Sequence, residues 1–322
     1  MTAAAICAVA IVLAAGCAML AERREAAARA QYPPVGRVIE VEGTRVHVRV
    51  EGHGPDVVLI HGASGNLRDF TFSLAGRLAR DFRVIVFDRP GLGWTERLPG
   101  HGGAGSSRGE SPAEQAALLH AAAERIGVQN PVVVGHSYGG AVALAWGLER
   151  PGATRALVLL AGAAMPWPGG LGALYAINGS AVGGATVVPL ITALAPRGAI
   201  DDAVASVFAP QHPPPGYAVH MGVGLSLQRG ALRANAQQVQ SLRPHIVRMS
   251  RRYADTLTMP VEIVHGTEDT IVPMDIHSEP LAELLPDANL TRLAGVGHMP
   301  HHADEDSVVA AIRRAAGLAP VD

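Results

Sequence analysis

Gly135-His136-Ser137-Tyr138-Gly139 sets a serine between glycines, where the apolar run Val132–Val134 gives way to Ala141, Leu144, Ala145 and Leu148 at helical spacing. A serine on a strand-to-helix turn stands clear of the backbone, and G-x-S-x-G in that setting is the pattern of an exposed nucleophile. Such a turn strains the serine by about 1–3 kcal/mol, so its neighbours must be small. Gly135, Gly139 and Gly140 meet that need.

A hydroxyl is a poor nucleophile at neutral pH. It needs a histidine to take its proton and a carboxylate to hold the histidine's tautomer. VEIVHGTEDTIVP places Asp269 in the loop after a predicted strand, and LTRLAGVGHMPHH places His298 in the loop after the next. Ser137, Asp269, His298 is the chain order of nucleophile, acid and base that this topology requires. Glu268, beside Asp269, would point elsewhere in an extended loop. Asp88 follows the strand RVIVFD and reads as a turn-stabilising carboxylate ahead of Arg89-Pro90-Gly91. The strand ending in His61-Gly62 turns so that the backbone N–H of Ala63, with that of Tyr138, can form an oxyanion hole; the His61 side chain reads as structural. His301 and His302 follow His298 closely, yet no acidic pair or second cluster in the sequence completes a metal site with them, so no metal and no cofactor is expected.

These residues need a scaffold. Arg37–Val41 and Thr44–Val50 alternate around Glu42-Gly43 and predict an antiparallel hairpin. From Val57 the chain repeats strand then helix: VVLIHG, a helix near Phe70–Ala79, RVIVFD, a helix from Ser111 with a capping box and Pro112 at its first position, VVVGH and its helix, then ALVLLAG. Continuous Val, Ile and Leu runs between helices are what a parallel sheet buried on both faces requires. Residues 163–258 break the rhythm with Gly/Pro-rich sequence and a helical stretch near Ala231–Arg251, too long for a loop and therefore read as an inserted cap. The rhythm then resumes with VEIVHG, a helix near Ile276–Leu285, NLTRLAG and a helix from about Asp304. The expected class is α/β, a mostly parallel doubly wound sheet with an N-terminal antiparallel hairpin and a helical cap: residues 37–162 and 259–322 form the core and 163–258 the cap.

Composition removes several chemistries. The chain has 322 residues, 48% hydrophobic and 17% charged, and all 26 of its basic residues are arginine. Without lysine there is no G-x-x-x-x-G-K-[ST] phosphate loop, no Schiff base and no S-x-x-K site. Cys7 and Cys17 are the sole cysteines, which leaves the core without a thiol nucleophile, disulfide framework or cysteine metal site. A formal net charge of −2 asks for no nucleic acid partner.

Residues 3–21 are apolar and free of charge, long enough to span a membrane. Three readings stay open for segment 1–21: an uncleaved membrane anchor, a lipoprotein-type signal with LAAGC ending at Cys17, or a cleaved signal peptide without a basic start. Arg23, Arg24 and Arg29 favour a cytoplasmic side after a span, whereas a lipoprotein is exported. The expectation is a membrane-attached protein of undecided sidedness, with residues 22–36, partly helical and closed by Pro33-Pro34, as linker.

His61-Gly62, FDRPGLGWTER at 87–97, GHSYGG, GTEDTIVP and GVGHMPHH together resemble the serine-nucleophile α/β-hydrolase superfamily, of the kind with a cap inserted after the sixth strand. The resemblance covers roughly residues 37–318. It implies an enzyme of the group that includes carboxylesterases, lipases, lactonases, thioesterases, C–C bond hydrolases and cofactor-free haloperoxidases. Haloalkane dehalogenases and epoxide hydrolases share the layout but carry aspartate at the nucleophile position, and Ser137 argues against both. The expected activity is cleavage of a carboxylic ester or related acyl bond of an apolar small substrate. C–C bond hydrolysis of a diketone, and a non-catalytic binding member of the fold, are the alternatives.

Overall fold

The computed structural model describes residues 2–103 and 105–319. Eight strands form one sheet: β1 (Arg37–Val41), β2 (Thr44–Glu51), β3 (Asp56–Ile60), β4 (Arg83–Phe87), β5 (Val132–His136), β6 (Ala156–Leu160), β7 (Val261–Gly266) and β8 (Asn289–Leu293). Their spatial order is β1-β2-β4-β3-β5-β6-β7-β8. The predicted hairpin makes the antiparallel start, β1 on β2 and β2 on β4, and every later pairing is parallel. Glu42 and Gly43 take positive φ of 50° and 76°, the twist that a two-residue hairpin turn demands.

Strands β5, β6 and β7 are buried along their whole length, as unbroken apolar runs require. Their side chains alternate between two cores. Val133, Leu157 and Ile263 pack with Leu119, Leu144 and Leu281 of the helices Pro112–Arg125, Tyr138–Glu149 and Met274–Leu284. Val132, Val134 and Val158 pack on the opposite face with Leu78, Val308 and Ile312 from Leu74–Leu78 and Glu305–Ala315. Sheet alternation thus holds one layer of helices on each side, leaving the strand ends to carry loops.

Local signals set the helix starts. Ser111 Oγ accepts the Glu114 N–H at 3.2 Å, Glu114 Oε2 accepts the Ser111 N–H at 2.8 Å, and Pro112 opens the helix. Asp304 caps the last helix by accepting the Ser307 N–H at 3.0 Å. The single helix expected near Phe70–Ala79 is two short ones, Arg68–Thr71 and Leu74–Leu78, broken at Ser73, whose φ and ψ of −147° and −60° are not helical.

Between β6 and β7 the chain is largely helical, and its longest helix there is Arg229–Ser250, followed by the short helix Tyr253–Thr256. That helix buries Asn235, Gln237 and Gln238 besides Val239, Leu242 and Ile246. Its buried amides face the core loops rather than solvent, for reasons that the site makes plain.

Ala3–Gln31 is one continuous helix, ended before Pro33-Pro34, which cannot extend it. Among the described residues no single helix is long and apolar enough to cross a membrane. The expected span and lipoprotein signal therefore gain no support from the fold, and part of that stretch, including the Cys7 side chain, lies outside the described residues. The helix instead packs beside Ala181–Leu194: Cys17 Sγ reaches the Pro189 carbonyl at 3.6 Å and Arg24 Nη1 donates to the Ala195 carbonyl at 3.0 Å. Residues 22–31 continue it with an ion pair from Glu25 to Arg229 (2.8 Å) and a bond from Arg29 to Gln228 (2.8 Å).

Candidate active site

β5 ends at His136 and the next helix begins at Tyr138, so Ser137 alone makes the turn, with φ 53° and ψ −118°. That is a conformation a side chain rarely adopts, and it persists only where the surroundings enforce it. Here they do. The Ser137 N–H donates to the Leu160 carbonyl at 3.0 Å, and its own carbonyl accepts from Gly140 (2.9 Å) and Ala163 (3.0 Å). A Cβ on Gly135 would stand 2.2 Å from the Gly139 oxygen, and one on Gly139 would stand 2.1 Å from the Ile60 oxygen. The expected glycine requirement is thus a matter of backbone packing against backbone.

Asp269 follows β7 and His298 follows β8, and the parallel order brings both to the end of β5. His298 Nδ1 lies 2.7 Å from Asp269 Oδ2, and His298 Nε2 lies 2.9 Å from Ser137 Oγ. All three residues are buried. With Nδ1–H donating to the carboxylate, Nε2 is left as the acceptor for the serine proton, an assignment made from the bonding pattern. Asp269 Oδ1 accepts the N–H groups of Ile271 and Val272, both at 2.9 Å. Burial works against its charge, but the bonds from His265 and His298 and from Val272 outweigh that and hold its pKa below the ordinary carboxylate range.

His265 was not singled out from the sequence. Its Nε2 lies 3.0 Å from Asp269 Oδ2 and 2.8 Å from the Val272 carbonyl, while Nδ1 lies 2.5 Å from Ser278 Oγ. It braces the acid loop, and the one available signal was its place near the end of a buried strand whose only other polar side chain is Glu262. Glu268 is exposed, as expected of the neighbour that points away. Asp88 is fully engaged elsewhere: it accepts from His47 Nδ1 (2.7 Å), the Leu67 N–H (2.7 Å) and the Trp94 N–H (2.8 Å).

The turn after β3 is held just as firmly. His61 Nε2 accepts the Arg89 N–H at 3.0 Å, so Nδ1 carries the ring proton and donates to the Gly62 carbonyl at 2.8 Å. Arg89 Nη1 donates to the same carbonyl at 3.1 Å. Burial, with the Arg89 charge beside it, lowers the His61 pKa to about 4 and keeps the ring neutral. In a trans peptide the C=O and N–H point oppositely, so pinning the Gly62 carbonyl directs the Ala63 N–H the other way. The turn lies against the serine: a Cβ on Gly62 would fall 3.1 Å from Ser137 Cβ. Among the described residues neither the Ala63 nor the Tyr138 N–H is spent on a protein acceptor.

Arg89 is buried and, among the described residues, forms no ion pair with a carboxylate. It donates to Gln115 (3.1 Å) and Gln238 (2.5 Å) and stacks 4.0 Å over the Tyr138 ring, and burial lowers its pKa to about 10. Gln238 and Asn235, which bonds Ser64 through both its amide atoms, are two of the buried amides of Arg229–Ser250.

His301 and His302 share one acidic partner that the sequence reading did not identify. Asp69, far upstream, accepts from His301 Nε2 at 3.1 Å and from His302 Nε2 at 2.9 Å. Only folding could reveal this, since Asp69 lies 232 positions before His301 in the chain.

A family model described as "Alpha/beta hydrolase family" matches residues 57–311. The chain is 29% identical over 287 residues to a 2-hydroxymuconate semialdehyde hydrolase of Pseudomonas putida, covering 83% of this chain and 89% of that protein. It is 26% identical over 294 residues to haloalkane dehalogenase 2 of Mycobacterium bovis, covering 87% and 94%. An esterase (EaEST) from Exiguobacterium antarcticum superposes with a TM-score of 0.68 at 19% identity, over 87% of this chain and 100% of that one; likeness at that identity concerns the fold.

Proposed function

Since the chain belongs to the alpha/beta hydrolase family, we propose that it is a serine hydrolase cleaving a carboxylic ester, or a related acyl bond, of an apolar small molecule through an acyl-enzyme. The observation that carries this is the unbroken line from Asp269 Oδ2 through His298 to Ser137 Oγ at a strained turn. His298 Nε2 takes the hydroxyl proton as Oγ attacks the acyl carbon, and the Asp269 charge stabilises the resulting imidazolium. The Ala63 and Tyr138 N–H groups receive the oxyanion, each donor worth roughly 2.7–4 kcal/mol in the transition state. His298 then returns its proton to the leaving alkoxide. Water, deprotonated by the same nitrogen, attacks the acyl carbon and frees the acid and the serine. The Ala, Leu, Val, Pro and Gly content of residues 163–258 supports an apolar acyl or alcohol group.

Purified protein should hydrolyse a short-chain p-nitrophenyl ester and label with a fluorophosphonate, and Ser137→Ala should abolish both while circular dichroism stays unchanged. Full activity in that variant would overturn the nucleophile assignment. A second reading, hydrolysis of a C–C bond in a diketone, is favoured by the relative named as a 2-hydroxymuconate semialdehyde hydrolase. Comparing kcat/KM on esters and on diketones separates the two. Dehalogenation is not proposed despite the second relative, because the nucleophile position holds serine.

A further inference from the structure

Directly beneath the serine and histidine lies a second buried polar cluster that the proposed chemistry does not use. Its centre is Asp69, in the helix Arg68–Thr71 that leaves the Ala63 turn. Asp69 Oδ1 accepts from Tyr217 OH at 2.8 Å and from His302 Nε2 at 2.9 Å, and Oδ2 accepts from His301 Nε2 at 3.1 Å. Every donor in this set is a neutral-capable group, and among the described residues neither an arginine nor a backbone N–H donates to the carboxylate. Burial opposes the charge, yet His301 and His302 hold its pKa well below the ordinary value, so the cluster is built round an ionised carboxylate.

The position of these partners matters more than their number. His301 and His302 lie three and four residues after His298, in the short helix Pro300–Ala303 that continues its loop. His136 immediately precedes Ser137. Its Nε2 donates to the His298 carbonyl at 2.9 Å, its ring centroid is 4.6 Å from that of His301, and its Nδ1 lies 3.9 Å from Asp69 Oδ2. Nδ1 of His136 has no hydrogen-bond partner among the described residues although it is buried. A costly buried group is retained where it fixes an arrangement. Here three loops from three strands meet: the Ala63 turn through Asp69, the serine turn through His136, and the His298 loop through His301, His302 and the His298 carbonyl.

We propose that Asp69 is a positioning residue of this site, clamping the His298 loop to the Ala63 turn, with His136 transmitting the same restraint from the serine turn. The proposal rests on the serine hydrolase reading above. It gives Asp69 no contact with substrate. Its role is to keep Nε2 of His298 within reach of Ser137 Oγ while the oxyanion donors stay in register, a tolerance in which a shift of about 1 Å costs on the order of 100-fold in rate.

Asp69→Asn presents an NH2 group to a histidine N–H and breaks one side of the clamp without changing side-chain size. It should fold, lower kcat for the p-nitrophenyl ester 10- to 100-fold, leave KM within about threefold, and shift or broaden the downfield proton resonance of His298 Nδ1–H. His136→Phe, which removes the donor to the His298 carbonyl, should do the same. Should Asp69→Asn fail to fold, Tyr217→Phe removes one donor and leaves the charge; it should lower kcat severalfold at constant KM. Folded variants with wild-type kcat and an unmoved resonance would overturn the positioning role. Ser137→Ala serves as the separate control: if it abolishes activity while these variants do not matter, positioning alone fails, and if it retains activity the hydrolase reading fails first.

Discussion

Arg89 lies with its guanidinium carbon 4.0 Å over the Tyr138 ring while its Nη1 donates to the Gly62 carbonyl at 3.1 Å. One buried cation therefore holds the Gly62–Ala63 peptide and packs on the side chain of Tyr138, and the N–H groups of Ala63 and Tyr138 are the ones proposed to receive the oxyanion. Arginine suits this place because its planar fork serves Gly62, Gln115 and Gln238 together, and a lysine ammonium cannot.

Arg89→Lys should therefore lower kcat by at least 10-fold, since the Ala63 N–H loses its fixed direction and removing one oxyanion donor outright costs about 100- to 1000-fold. It should also reduce stability by about 1–3 kcal/mol for each glutamine oxygen left unpaired. Steady-state kinetics and urea unfolding of the variant read both effects; wild-type kcat would separate Arg89 from the reaction.

Asp269→Asn and Asp88→Asn distinguish the two carboxylates that the sequence offered. The amide at 269 stabilises the wrong His298 tautomer, and kcat should fall on the order of 10⁴-fold with the fold retained. Asp88→Asn should instead lower stability, because Asp88 gathers His47, Leu67 and Trp94, while kcat per titrated active site stays within a few fold. The opposite ranking would show that the acid has been misassigned.

Stability should fall on mild acidification. His61 and His277 have folded pKa values of about 4, lowered chiefly by burial, against an ordinary value of 6.5. Between pH 6.5 and 4 the unfolded chain takes up protons that the folded chain refuses, so stability rises with pH there and is lost on the way down. The fully buried His61 alone contributes on the order of 3 kcal/mol across that window. Below it the depressed carboxylates Asp69 and Asp269 add a further loss as they protonate. The urea midpoint measured at pH 7.5 and pH 5 tests this; equal midpoints would contradict it.

Legibility in the sequence followed the range of the interaction. The Ser111 capping box, the Glu42-Gly43 turn and the glycines around Ser137 act within a few residues, and the structure places them as the local pattern predicts. Asp269 and His298 were legible through topology, since loops after successive parallel strands converge on one edge. Residues 22–36 read as a linker from composition, whereas in the fold Glu25 and Arg29 are tied to Arg229 and Gln228 at the start of the long helix. The amides of that helix are simply polar positions of a helical stretch when read from the sequence, and it is their burial against Ser64 and Arg89 that reveals their use.

The sequence by itself determined the strand and helix rhythm, the strained serine turn and the chain order of serine, aspartate and histidine, because hydrophobic period, turn sterics and strand order are properties of neighbouring or successive elements. Only the tertiary structure decided that Asp69 serves His301 and His302 across more than 230 positions, that His265 braces Asp269, and that Arg89 joins Gly62 to Tyr138. A buried polar group must find its partner wherever packing brings one, and that choice is made by proximity in space, which no local pattern encodes.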